Sequence, residues 1–299
     1  MLPTSDSTCL MFTLEAVVGA GKSTTLHSMK ESLPQALGAD QVHEVQGHGF
    51  SYMQLPQGLT LVFIPEAVED WIAAGCLQAF YSGDLDPKPF QLLTLFSVTT
   101  RLAAAAAATS HCAFRVFIQE RSLGSNDEVF AASLKAADVE FGKAYDCCVK
   151  LSRELLPQAL LSSLPYRVYL HVSPAVAAKR AAGRARAGEE GLKVDLLRTL
   201  EESHHKWLKD QAAVVTIDAS LGANVVATDV QRGERKVRHL VFTRVAPQNC
   251  LGERLHLVDQ CRKRLGDRRL LGLLELRGGG EGGGEGESTR EHVRRARRE

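Results

Sequence analysis

The 299-residue chain holds no Cys-x-x-Cys pair; its seven cysteines are scattered, with only Cys147 and Cys148 adjacent. Such spacing excludes zinc-ribbon and secreted disulfide frameworks and points to a reducing compartment. A cytoplasmic location is expected, with an organelle as the alternative. Net charge is scarce as well. Thirty-six basic against 35 acidic residues leave +1, which gives no global attraction to nucleic acid or to a membrane surface. Apolar runs are short, and none is expected to reach the roughly 20 residues that span a bilayer. The first residues, Met1 to Thr8, are too few and too poor in basic groups to read as a signal or transit peptide. No membrane contact and no specific nucleic-acid contact are expected.

What the chain does have is 44% apolar residues, enough for a sizeable core. One stretch organises the rest. An apolar run, Leu10-Met-Phe-Thr-Leu14, leads through Glu15 into Ala16-Val17-Val18-Gly19-Ala20-Gly21-Lys22-Ser23-Thr24, and a helical pattern follows. Strand, glycine-rich turn ending in Lys-Ser, then helix is the build of a phosphate-cradling loop. Gly19 and Gly21 let backbone N–H groups approach phosphate oxygens, and the helix N-terminus adds its positive end. Lys22 would reach the β- and γ-phosphates, and the Ser23 hydroxyl would hold Mg²⁺. The pattern departs from G-x-x-x-x-G-K-[ST] at its first position, where Ala16 stands.

Four more β-rich runs follow, at 59–64, 114–118, 166–172 and 213–217, separated by helical stretches at about 71–81, 90–109, 127–162, 174–187 and 193–209. Continuous apolar strands alternating with helices predict an α/β fold: a parallel sheet of about five strands with helices on both faces. Open parallel sheets bind ligands beyond the carboxyl ends of their strands. Those ends run into the glycine loop, into Pro65-Glu66, and into Gln119-Glu120-Arg121-Ser122. Charged groups and a phosphate loop therefore converge on one edge. Glu66 could take a proton from an attacking hydroxyl, and Trp71 could wall a pocket. Glu120 could share Mg²⁺ with Ser23, while Arg121 could bridge donor phosphate and attacking oxygen. Arg184 and Arg186, spaced by one residue beside glycines, suit a helical lid closing over phosphates.

After Asp218 the pattern fades. Residues 1–220 read as the folded domain, 221–276 as an extension with a basic helical stretch, and 277–299 as a Gly/Glu/Arg-rich tail unable to bury enough surface to fold.

These pieces together resemble the deoxynucleoside kinase family, which phosphorylates deoxynucleosides at the 5′-hydroxyl with ATP. The matching motifs run in family order: the phosphate loop, Pro65-Glu-x-Val-x-x-Trp71, Ala79-Phe-Tyr81, Thr99-Thr-Arg-Leu102, Glu120-Arg-Ser122, Tyr169-Leu-x-x-Ser-Pro174, Arg184-x-Arg186 and Leu200-x-x-x-His204-His-x-Trp-Leu208. The resemblance implies a P-loop NTPase-type fold, Mg²⁺ with ATP, and a homodimer packed through helices. It implies Glu66 as general base, Arg121 and Lys22 as its catalytic partners, and Arg184 and Arg186 as lid arginines. Trp71, Tyr81, Arg101, Asn126 and Glu190 fall where the family holds the nucleoside, and Gln91 is the glutamine near that set.

Four departures bear on these roles. Ala16 and Ala67 replace a glycine and a proline, and Gly188 is an extra residue before Glu189. The base-reading glutamine position falls on Thr94, with Gln91 nearby. An arginine at 101 with Asn126 leans toward deoxycytidine or purine deoxynucleosides over thymidine. The rival readings are a thymidylate-type nucleoside monophosphate kinase and a nucleotide-binding protein without activity.

Overall fold

The computed structural model describes residues 8–220, apart from 38–42, 56–57, 164, 185, 187–188 and 190–191. The segments 221–276 and 277–299 set apart by sequence lie outside the described residues. Strand β1 (Thr8–Glu15) ends at the glycine loop and leads into α1 (Lys22–Ala36). A hairpin follows, β2 (His43–Gly47) and β3 (Phe50–Gln54), and then β4 (Leu59–Ile64), α2 (Val68–Ala73), α3 (Cys76–Ser82) and α4 (Pro87–Ala108). Strand β5 (Phe114–Glu120) leads into a short turn, α5 (Leu123–Ser125), and a π-helical turn, Asn126–Phe130. After these come α6 (Ala132–Ala137), α7 (Val139–Glu154), α8 (Gln158–Leu161), β6 (Tyr166–His171), α9 (Pro174–Arg184), α10 (Val194–Lys209) and β7 (Val214–Asp218).

The sheet order is β2-β3-β4-β5-β1-β6-β7. Strands β4, β5, β1, β6 and β7 run parallel and are the five apolar runs of the sequence. The expected five-stranded parallel sheet is thus extended to seven strands by an antiparallel pair. The edge strand β2 and its partner β3 escape a pattern search because they carry His43, Glu44, Gln46, Ser51 and Gln54. An edge strand need not be apolar on its solvated side.

Alternation along β1 feeds two cores. Leu10, Phe12 and Leu14 pack on one face with Leu26, Met29 and Leu33 of α1 and Leu197 and Leu200 of α10. Cys9 and Met11 pack on the other with Leu102, Ala105 and Ala106 of α4 and Leu160 of α8. Period-two side chains on a strand buried from both sides give this result.

Two helical stretches divide where the chain supplies breakers. The 71–81 pattern splits at Gly75, which adopts φ 70°. The 127–162 pattern breaks at Asp138, whose carboxylate caps α7 by accepting from Glu140 and Phe141 N–H groups, and again at Pro157. Helix α4 corrects one expectation, since by length and composition it could cross a bilayer. One face of it instead packs inside the protein, with Leu95, Val98, Leu102, Ala105 and Ala106 buried. Helix α4 is a core helix.

Candidate active site

Backbone geometry builds the first part of the site. Gly19 and Gly21 sit at φ 83° and 101°, in the left-handed region that side chains resist. At Gly19 space forbids a side chain as well, because a Cβ would lie 2.3 Å from the Ala177 carbonyl oxygen of α9. Ala16 carries no such demand: among the described non-glycine residues only Arg121 and Ala213 have positive φ. The first loop position is therefore occupied by alanine at no conformational cost. Behind the loop, Glu15 is buried with neither carboxylate oxygen hydrogen-bonded. The buried Lys22 ammonium donates to the carbonyls of Ala16 (3.2 Å) and Val17 (3.3 Å). Burial and then the Arg121 charge lower the Lys22 pKa, opposed by the carboxylates of Glu66, Glu120 and Glu15.

The acidic groups meet beside it. Ser23 Oγ donates to Glu120 Oε1 at 2.8 Å, and the other carboxylate oxygen faces the Glu66 N–H at 3.5 Å. Burial and the Glu66 charge push the Glu120 carboxyl above its ordinary range, which Lys22 and the Ser23 hydrogen bond oppose. A hydroxyl and a carboxylate this close are the hard oxygen donors that Mg²⁺ takes. Val17, Val18, Ala20 and Thr24 complete the loop, with Val18, Gly19, Gly21 and Thr24 facing the cavity.

Strand ends supply the next pair. Glu66 follows β4 and Arg121 follows β5, and their side chains form an ion pair, Nε to Oε1 at 2.9 Å, both almost fully buried. Arg121 holds φ 63°, a strained value for a residue with a side chain. Its N–H donates to the Leu14 carbonyl at 3.0 Å, and its guanidinium lies 3.6 Å from the Phe130 ring centroid. Sheet pairing and ring contact together over-determine the arginine. Phe130 belongs to the π-helical turn, a wide turn of the kind that recurs at functional sites.

From this pair a cavity of about 440 Å³ opens. Its far end is aromatic. Trp71 is buried, stands edge-on to Phe90 at 5.6 Å and donates its indole N–H to Ser97 Oγ at 3.0 Å. Phe80 stacks on Phe90 at 4.4 Å. Gln91 and Thr94, one turn apart on α4, both line the cavity, and the Thr94 hydroxyl donates to the Gln91 carbonyl at 2.9 Å. Tyr81 lines it too, its hydroxyl pushed up to about 12, mainly by burial and then by the Glu189 charge.

Arg184, Arg186 and Glu189 line the third side. Arg184 donates to both Glu189 oxygens at 2.8 and 2.6 Å, and Arg186 lies 3.5 Å from the same carboxylate and 3.7 Å from Glu69. Glu190 lies outside the described residues. Glu189, one residue earlier, is buried.

Two expected nucleoside contacts sit elsewhere. Arg101 does not line the cavity: its guanidinium donates to the Pro65 carbonyl (2.9 Å) and pairs with Asp70 (2.6 Å). Asn126 is fully buried beside the cavity wall with its amide unpartnered, and it too is no lining residue. Sequence reading gave no site role to Phe80, Phe90, Glu15 or Glu189. The aromatic spacing around the α3–α4 turn was the available signal for the first two, while nothing local marks the others.

Comparison with known proteins adds to the geometry. The family model described as deoxynucleoside kinase matches residues 12–245, well over half the chain and past the boundary drawn at 220. A thymidine kinase of Ictalurid herpesvirus 1 (strain Auburn) is similar at 23% identity over 225 residues, covering 71% of this chain and 79% of the viral protein.

Proposed function

The chain belongs to the deoxynucleoside kinase family, and from that premise we propose that it transfers the γ-phosphoryl group of ATP to the 5′-hydroxyl of a deoxynucleoside. The observation that carries the reading is the buried Glu66–Arg121 ion pair at the junction of the phosphate loop and the aromatic cavity. Glu66 accepts the proton of the 5′-hydroxyl as that oxygen attacks. Arg121 orients the carboxylate and the hydroxyl and carries charge that develops on the transferred group. Lys22 and the loop N–H groups hold the donor phosphates, and Arg184 and Arg186 leave Glu189 to join them when ATP enters. Mg²⁺ held by Ser23 and Glu120 would neutralise charge on the β- and γ-phosphates.

An uncharged acceptor suits the far end of the cavity. Trp71, Phe80 and Phe90 offer ring faces to a base, and Gln91 and Thr94 offer neutral donors and acceptors to its edge. Tyr81, protonated across the physiological range, can donate to a sugar hydroxyl. The lean toward deoxycytidine or purines loses its support from Arg101, which Asp70 and Pro65 engage. A turnover panel of the four natural deoxynucleosides and thymidylate tests the reading. Transfer to at least one deoxynucleoside and not to thymidylate is the expected result. Transfer to thymidylate alone would assign the rival monophosphate-kinase reaction.

We also propose a homodimer through α4 and α7. These helices pack against each other yet leave Phe96, Leu151 and, just past the end of α7, Leu155 exposed. Sedimentation of wild type against Leu151→Glu/Leu155→Glu checks it, with a dimer expected only for the wild type.

A further inference from the structure

Helix α10 has a second decorated flank. Leu196, Thr199, Leu200 and Ser203 line the nucleoside cavity, whereas Glu201 and His205, four residues apart, share another face. Opposite them stands His171, the last residue of β6. Ligand atoms of His171, Glu201 and His205 all lie within 4.8 Å of one another. His171 Nε2 and Glu201 Oε1 are 3.3 Å apart, and the two imidazoles stack with centroids 5.7 Å apart. Tyr169, two residues before His171 on the same strand face, stands edge-on to His205 at 5.6 Å. Across the sheet His171 is registered with Asp218 of β7, another carboxylate.

We propose that His171, Glu201 and His205 bind one divalent transition-metal ion of the zinc class. Three features carry this. Bonds of about 2.0–2.1 Å in tetrahedral geometry place neighbouring ligand atoms about 3.3 Å apart, which the His171–Glu201 pair already satisfies. Two imidazoles with one carboxylate suit zinc, cobalt or nickel rather than Mg²⁺, which takes oxygen ligands. The partly exposed position leaves room for water as a fourth ligand. None of the three residues lines the phosphoryl-transfer cavity, so the ion would be separate from the Mg²⁺ that travels with ATP. It would staple β6 to the helix that walls the cavity.

The test uses the full-length, tag-free, metal-stripped chain in nucleotide-free, non-chelating buffer with Mg²⁺ in excess, titrated with Co²⁺ by absorption and with Zn²⁺ by calorimetry. One equivalent should bind, with tetrahedral cobalt bands and a thermal midpoint raised by several degrees at saturation. His171→Gln/His205→Gln should abolish binding and leave turnover of the metal-free protein unchanged. Glu201→Gln, the milder change, should weaken binding at least about tenfold with an unaltered circular dichroism spectrum. Equal binding by wild type and the double variant would overturn the proposal. So would thiolate-to-cobalt charge-transfer bands, which would place the metal on cysteine.

Discussion

The two halves of the cavity are made by different means. The donor half is one continuous stretch, residues 15–24, whose chemistry resides in backbone N–H groups, two left-handed glycines and Lys22. The acceptor half draws Glu66, Trp71, Gln91, Arg121 and Phe130 from four separate segments. Apart from Lys22 and Ser23, whose side chains act directly, the donor half depends on backbone conformation and tolerates side-chain change where φ is ordinary. The acceptor half depends on buried charges whose partners are distant in sequence, so it tolerates little.

Removing a buried charge should expose that contrast most sharply. Arg121→Ala strips Glu66 of its partner and is expected to cut turnover by about 10² to 10³ and to cost about 3 kcal/mol of stability. Turnover and denaturant midpoint measured on the same preparation check both. In the donor half Gly19→Ala should be nearly as harmful for a backbone reason. Its methyl would meet the Ala177 carbonyl at φ 83°, which should cost about 2 kcal/mol and be read as weakened ATP binding and a lowered midpoint.

How legible each half was follows from the same difference. The loop could be read residue by residue, because its chemistry is local. The five parallel strands were legible because sheets covered on both faces need apolar runs; the β2–β3 edge hairpin, half solvated, carries no such run. Glu66 and Arg121 were found through their places at strand ends. Arg101 and Asn126 read as nucleoside contacts because sequence cannot show that Asp70 and the Pro65 carbonyl capture the arginine, or that the asparagine is buried behind the wall.

A pH-dependent effect concerns His204, which meets the Phe130 ring edge-on at 5.8 Å. His204 is buried, its Nδ1 is 2.7 Å from the Leu200 carbonyl, and Tyr169 stacks on it at 5.5 Å. Burial, aided by Lys22 and Arg121, lowers its pKa to about 3 from 6.5. The unfolded chain binds the proton first as pH falls. His204 therefore contributes stability that is fully present above about 6.5 and is lost as pH drops toward 3, by about 1 kcal/mol per unit. Denaturant titrations across that range should show the slope, and His204→Gln should flatten it. The smallest change belongs to the donor half. Ala16→Gly alters a position with ordinary φ and should leave ATP affinity and turnover within about twofold, with a stability loss of at most about 1 kcal/mol.

The central claim is that Glu66 removes the proton from a 5′-hydroxyl while the phosphate loop holds the donor. Its most direct test compares wild type with Glu66→Gln under saturating Mg·ATP and the best deoxynucleoside of the panel, following 5′-monophosphate and measuring ATP affinity in parallel. The structure predicts turnover lower by about 10² or more with ATP affinity retained. Near-normal turnover in Glu66→Gln would contradict the account.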